Sequence, residues 1–116
     1  VVLVTGTSSG FGRAVAEALH ARGDQVFGTV RRDDAPAAAF PQVRLDVLDE
    51  ASVQAAVAEV VARAGRLDAV VNNAGGGLAG ALEDTTPAEA QALFDANFFG
   101  VHRVCRAVLP HFRARG

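Results

Sequence analysis

The sequence predicts an α/β fold, a doubly wound parallel sheet with helices on both faces. Two observations predict it. Short apolar runs alternate with segments of helical period in the order βαβ(α)βαβα, and strands separated by helices join through right-handed crossovers into a parallel sheet. The first run, Val1–Thr5, is apolar almost throughout, as suits a strand covered on both faces.

Each element has its own local reason. Gly10–Arg22 has helical spacing, placing Phe11, Val15, Ala18, Leu19 and Arg22 on one face, with Gly23 as its C-terminal stop. Gln25–Val30 reads as the second strand and Val43–Asp46 as the third. Between them, Arg31–Pro41 mixes charges, alanines and two prolines and forms a short helix at most. Asp49 caps the next helix, whose stripe is Val53, Val57, Val60 and Ala64 and whose end is Gly65. Leu67–Asn72 is the fourth strand, followed by a Gly-rich loop, Asn73–Thr85. Thr86-Pro87-Ala88-Glu89 combines a cap, a proline at the first helical position and a glutamate three residues after the threonine. The helix it opens carries Phe94, Phe98, Val101, Cys105, Leu109 and Phe112 at steps of three and four, and Pro110 is expected to bend or end it.

Composition narrows the function. With 50% hydrophobic and 21% charged residues the 116-residue chain fits one globular domain. A net charge of -2 offers no basic face for nucleic acid or anionic lipid. No apolar run is long enough to span a bilayer. Cys105 is alone, which argues against a disulfide framework or a Cys-based metal site and points to a reducing, cytoplasmic setting. The scattered His20, His102 and His111 read as solvated helix residues, so no metal is expected. The chain has no Met, no Tyr and no Lys; its eleven basic residues are all arginine. It reads as a trimmed sequence that opens inside a strand.

The turn Gly6-Thr7-Ser8-Ser9-Gly10-Phe11-Gly12 joins the first strand to the first helix. A glycine at the strand end permits a tight turn, and glycines at the helix start let a pyrophosphate approach the backbone. The helix N-terminus adds unpaired N–H groups and partial positive charge. Ser8 and Ser9 add hydroxyl donors. A P-loop is excluded, because it requires Lys. Taken by itself, the turn has a Gly-rich connection that binds nothing as its alternative.

Together with Asp46-Val47 closing strand three, Asn72-Asn73-Ala74-Gly75 closing strand four and Asn97 in "ANFFG", the pattern Thr5-Gly6-x-x-x-Gly10-x-Gly12 resembles the short-chain dehydrogenase/reductase family across nearly the whole chain. The resemblance implies a Rossmann-type sheet in the order 3-2-1-4, of which residues 1–116 are the N-terminal portion of one NAD(P)-binding domain. The first turn and Asn72–Gly75 would then border one crevice, where the strand order reverses. Gly6, Thr7, Ser8, Ser9, Gly10, Phe11 and Gly12 would hold the pyrophosphate. Asn72 and Asn73 would hydrogen-bond the neighbouring strand ends, small Ala74 and Gly75 would leave room for a ribose, and Asn73, Ala74 and Gly75 would contact the cofactor, with a plain turn as the alternative. Asp46 would accept from the adenine amino group, beside Val47; the alternative is a solvated aspartate. Asn97 would join the catalytic set through a water relay; the alternative is an Asn satisfied by backbone groups.

The end of strand two bears on the cofactor. An acidic residue there suits the ribose 2′-OH of NAD, whereas arginine suits a 2′-phosphate. Val30 falls at that position, followed by Arg31 and Arg32, which favours NADP(H) and leaves NAD(H) as the second choice. Asp33 and Asp34 stand close enough to pair with the arginines or to serve a ribose; a solvated charge cluster is the alternative.

The expected activity, as the resemblance implies, is hydride transfer between the cofactor and a small-molecule alcohol or ketone. The family's catalytic Ser, Tyr and Lys are expected beyond Gly116, so these residues make only the cofactor half. A non-catalytic NADP(H) binder or regulator is the alternative, and a methyltransferase-type nucleotide fold ranks below both. The resemblance also implies a homo-oligomer, a dimer or tetramer. The segment by itself is not expected to form a stable soluble monomer, because strand four and the last helix lack cover.

Overall fold

The computed structural model describes every residue from Val1 to Gly116. Four strands, β1 (Val2–Val4), β2 (Val26–Val30), β3 (Gln42–Arg44) and β4 (Ala69–Val71), form one parallel sheet ordered β3-β2-β1-β4. The register pairs Leu3 with Phe27 on one side and with Val70 on the other. The expected order is therefore the observed one. The ladder is shorter than the apolar runs, most clearly at β3. There Asp46 leaves the strand because its carboxylate takes the Leu48 N–H at 3.0 Å, which closes a local turn.

There are four α-helices, α1 (Gly10–Ala21), α2 (Glu50–Ala64), α3 (Pro87–Phe94) and α4 (Gly100–Arg115), and α1, α2 and α4 pack on the sheet. Their ends follow local chemistry. At the end of α1, Gly23 has φ +97°, its N–H reaches the His20 carbonyl at 2.9 Å, and the Asp24 N–H reaches that of Leu19 at 3.1 Å. This is a Schellman stop, closed where the sequence places it. Asp49 caps α2 by accepting from the Ala51 N–H, and Thr86 with Glu89 forms a reciprocal capping box on α3. Arg31–Pro41 is irregular. A short 3-10 turn, Leu82–Asp84, interrupts the loop before α3.

Sequence spacing predicts one long helix after Thr86. The structure divides it with a π-helical turn, Asp95–Phe99, in which the Gly100 N–H reaches back to the Asp95 carbonyl. That extra residue shifts the helical phase between α3 and α4. Pro110 does not end α4, which continues to Arg115.

The core lies on both faces of the sheet. On one, Leu3, Phe27, Val43 and Leu45 pack against Val53, Val57 and Val60 of α2 and Val104 and Val108 of α4. On the other, Val2, Val4 and Val26 pack with Phe40 and with Ala16 of α1. Two predicted faces are corrected. On α1 the buried residues are Gly12 and Ala16, while Phe11 is 87% exposed and Val15 and Ala18 also face solvent. The helix start lies so close to the strand ends that only small residues fit between them. On α4 the buried face is Gly100, Val104, Ala107 and Val108, whereas Phe94, Phe98 and Leu109 are exposed. Of the predicted stripe, Val101 and Cys105 are half-buried, and Phe112 packs against the core. Glycine and alanine let the helix approach, and the phase shift at the π turn breaks the stripe.

Candidate functional site

The site begins with the buried hydroxyl of Thr5, just past β1. It accepts the N–H groups of Asn73 and Ala74, both at 2.9 Å, and donates to the Val71 carbonyl at 3.4 Å. The Asn73 side chain answers by donating to the carbonyls of Thr5 and Gly6, both at 3.0 Å. The ends of β1 and β4 are thereby laced together across the point where the strand order reverses. Gly6 has φ +71°, and a Cβ on it would lie 2.9 Å from the Ala74 backbone. A Cβ on Gly12 would collide with the Gly6 carbonyl and the Asn73 amide. Glycine is thus required at both positions by the packing of the turn on β4.

The turn is tied to β2 as well. The Gly6 N–H donates to the Thr29 hydroxyl at 3.1 Å, and the Thr7 N–H and hydroxyl both donate to the Thr29 carbonyl, at 2.8 and 3.2 Å. Beyond these anchors the backbone is open. Ser9 stands at the N-cap of α1 without a side-chain capping bond. The N–H groups of Ser8 through Gly12 bond to no acceptor in the chain. An uncapped 12-residue helix whose first donors are unspent offers a concentrated site for an anion.

These donors open into a cleft of about 860 Å³. Of the sequence-predicted residues, Gly6, Ser8, Ser9, Phe11, Arg31, Arg32, Asp46, Val47, Asn73, Ala74 and Gly75 line it. Thr7, Gly10, Gly12 and Asn97 do not. Thr7 is fully buried with its hydroxyl committed to Thr29, and Gly12 is buried under Asn73. Asn97 holds the loop after β4 instead: it accepts the Gly76 N–H at 2.9 Å and donates to the Gly76 carbonyl at 2.7 Å.

Arg31 and Arg32 are exposed and make no ion pair. Asp33 pairs instead with Arg44, at 3.5 Å. The charge cluster therefore does not neutralise itself, and two guanidinium groups remain available at the cleft edge. Asp46 spends one carboxylate oxygen on the Leu48 N–H, and its own N–H donates to the Ser52 hydroxyl at 2.9 Å.

Sequence reasoning missed Thr29 and Ser52 as supports. Thr29 had a visible signal, a hydroxyl inside the apolar run Val26–Val30. Ser52 had only its place in the first turn of α2.

A family model described as short chain dehydrogenase matches residues 1–116. The chain belongs to that family. Among short-chain dehydrogenases, a 3-ketodihydrosphingosine reductase from Bacteroides thetaiotaomicron is 41% identical over 113 residues, covering 97% of this chain and 42% of that protein. The structure of a short-chain dehydrogenase from Streptomyces avermitilis matches with a TM-score of 0.88 at 49% identity, over 98% of this chain and 44% of that one. A variant of actinorhodin polyketide ketoreductase, solved with NADPH, matches with a TM-score of 0.87 at 30% identity, over 96% of this chain and 46% of that one. The chain spans about half the length of the curated relatives it matches, 42% in one case and 52% in another. No helix is long and apolar enough to cross a membrane.

Proposed function

We propose that residues 1–116 form the cofactor-binding portion of an NADP(H)-dependent oxidoreductase that interconverts a carbonyl and an alcohol. One observation carries the reading: the uncapped start of α1 and the unpaired Arg31 and Arg32 open into the same cleft. The open N–H groups of Ser8–Gly12 suit a pyrophosphate, and the arginines beside the end of β2 suit a 2′-phosphate dianion. The remaining oxygen of Asp46 would accept from the adenine amino group beside Val47. The turn Asn73–Gly75 would border the ribose on the β4 side. When bound, the cofactor's nicotinamide supplies or takes up the hydride. Asn97 would order that end of the site through Gly76 and belong to the catalytic set. The reductase names of the relatives support a small-molecule ketone or alcohol as substrate, as against a macromolecule. The exposed phenylalanines of α3 and the π turn are compatible with a homo-oligomer.

NAD(H) is the second reading, favoured by Asp34, whose carboxylate is at the same cleft and is free to meet a ribose hydroxyl. A non-catalytic binder is the third, since these residues include no Tyr or Lys. A Tyr-x-x-x-Lys in the full-length sequence would decide between enzyme and binder. Binding titrations decide the cofactor. In the full-length protein, Arg31→Ala should weaken NADPH about tenfold or more and NADH much less. Equal losses, or none, would contradict the NADP(H) assignment.

A further inference from the structure

Arg103 lies on α4, outside the cleft, yet its guanidinium reaches the loop that forms one wall of it. Nη1 donates to the Val47 carbonyl at 3.0 Å and to the Asp95 carbonyl at 3.3 Å, and Nη2 pairs with the Asp95 carboxylate at 2.6 Å. The side chain is only 21% exposed. A surface ion pair would use the carboxylate alone. Here two further donations go to backbone carbonyls, one in the π turn and one in the loop after β3.

The Val47 contact matters because of the peptide it holds. The Val47 carbonyl and the Leu48 N–H belong to one planar unit. Arg103 grips the oxygen, and the Leu48 N–H points at the Asp46 carboxylate at 3.0 Å. Turning this peptide would therefore withdraw the donor that holds the Asp46 carboxylate in place. Gly100 forms the floor beneath: a Cβ there would lie 2.9 Å from the Val47 Cβ. The loop is thus seated on Gly100 and clamped by Arg103.

We propose that Arg103 is a positioning residue for the adenine end of the cofactor site, acting through the Val47–Leu48 peptide to aim the Asp46 carboxylate. The proposal rests on reading the cleft as a dinucleotide site. With a pyrophosphate at the start of α1, Arg31, Arg32, Asp46 and Val47 would face the adenosine and Asn73–Gly76 the nicotinamide side of the cleft. Arg103 therefore governs one half of the ligand.

The test is calorimetric titration of the full-length protein with adenosine 2′,5′-bisphosphate and, separately, reduced nicotinamide mononucleotide. Arg103→Met should weaken the bisphosphate about tenfold and leave the mononucleotide unchanged. Arg103→Lys, which keeps one donor, should recover part of the loss. Asp46→Asn should cost much less in the Arg103→Met background than in the wild type, because the carboxylate is already misaimed. Wild-type bisphosphate affinity in Arg103→Met, or equal loss of both ligands, would overturn the proposal. If Arg103→Met does not fold, Asp95→Asn removes only the charged anchor of the guanidinium. It should give a smaller loss confined to the bisphosphate, and no loss would also overturn the proposal. A wild-type protein that binds neither bisphosphate nor NADPH defeats the dinucleotide reading itself and this proposal with it, an outcome distinct from the others.

Discussion

Thr5 and Asn73 do the most with the fewest atoms. A threonine hydroxyl has one donor and two acceptor sites, and Thr5 uses all three, on Val71, Asn73 and Ala74. Thr5→Val keeps the shape but strands two N–H groups in a part-buried place. The expected cost is about 2–4 kcal/mol of stability in urea unfolding. Gly12→Ala acts by volume, since its Cβ has no room between Gly6 and Asn73. It should cost about 1–3 kcal/mol and weaken NADPH binding as the turn is pushed from β4. An unchanged dissociation constant in a folded Gly12→Ala protein would show that the turn tolerates displacement.

The helices differ in how their first donors are met. Asp49 caps α2, and α3 carries a full capping box, but α1 is left uncapped. The one helix that starts in the cleft is the one whose donors stay free. In α3, the Thr86 N–H and then its hydroxyl hold the Glu89 carboxylate below its ordinary range. A carboxyl whose folded pKa is depressed stabilises the fold above its unfolded pKa, and this is lost as pH falls through the folded value. The protection of the α3 amides, relative to the intrinsic exchange rate at each pH, should therefore fall on acidification through the ordinary glutamate range and below. Glu89→Gln should remove that pH dependence, as read by hydrogen exchange. Thr86→Ala should cost about 1 kcal/mol locally at neutral pH.

For the molecule as a whole, the order β3-β2-β1-β4 leaves β4 paired only with β1. The aromatic residues nearest the π turn are also open to solvent, with Phe94 63%, Phe98 60% and Phe99 51% exposed. An open strand edge and an exposed apolar patch each favour association. Residues 1–116 produced by themselves should thus self-associate, in sedimentation, rather than remain monomeric. A monomer with a sharp, reversible thermal transition would contradict this.

The sequence by itself determined the four strands and the first two helices, the helix stops at Gly23 and Gly65, the caps at Asp49 and Thr86, and the glycine turn, but not the π turn that divides the last helix. These depend on residues a few positions apart, so local spacing carries them. The bordering of one crevice by the first turn and Asn72–Gly75 was also legible, through the strand order 3-2-1-4 that the family resemblance implies. Only the tertiary structure decided which faces of α1 and α4 are buried. Periodicity marks apolar residues, but close approach selects small ones, Gly12 and Ala16 or Gly100 and Ala107. Only the fold could show that Asn97 holds Gly76 and that Arg103 reaches Val47, 56 residues away. Such partners are set by where the chain returns in space, which no short stretch of sequence records.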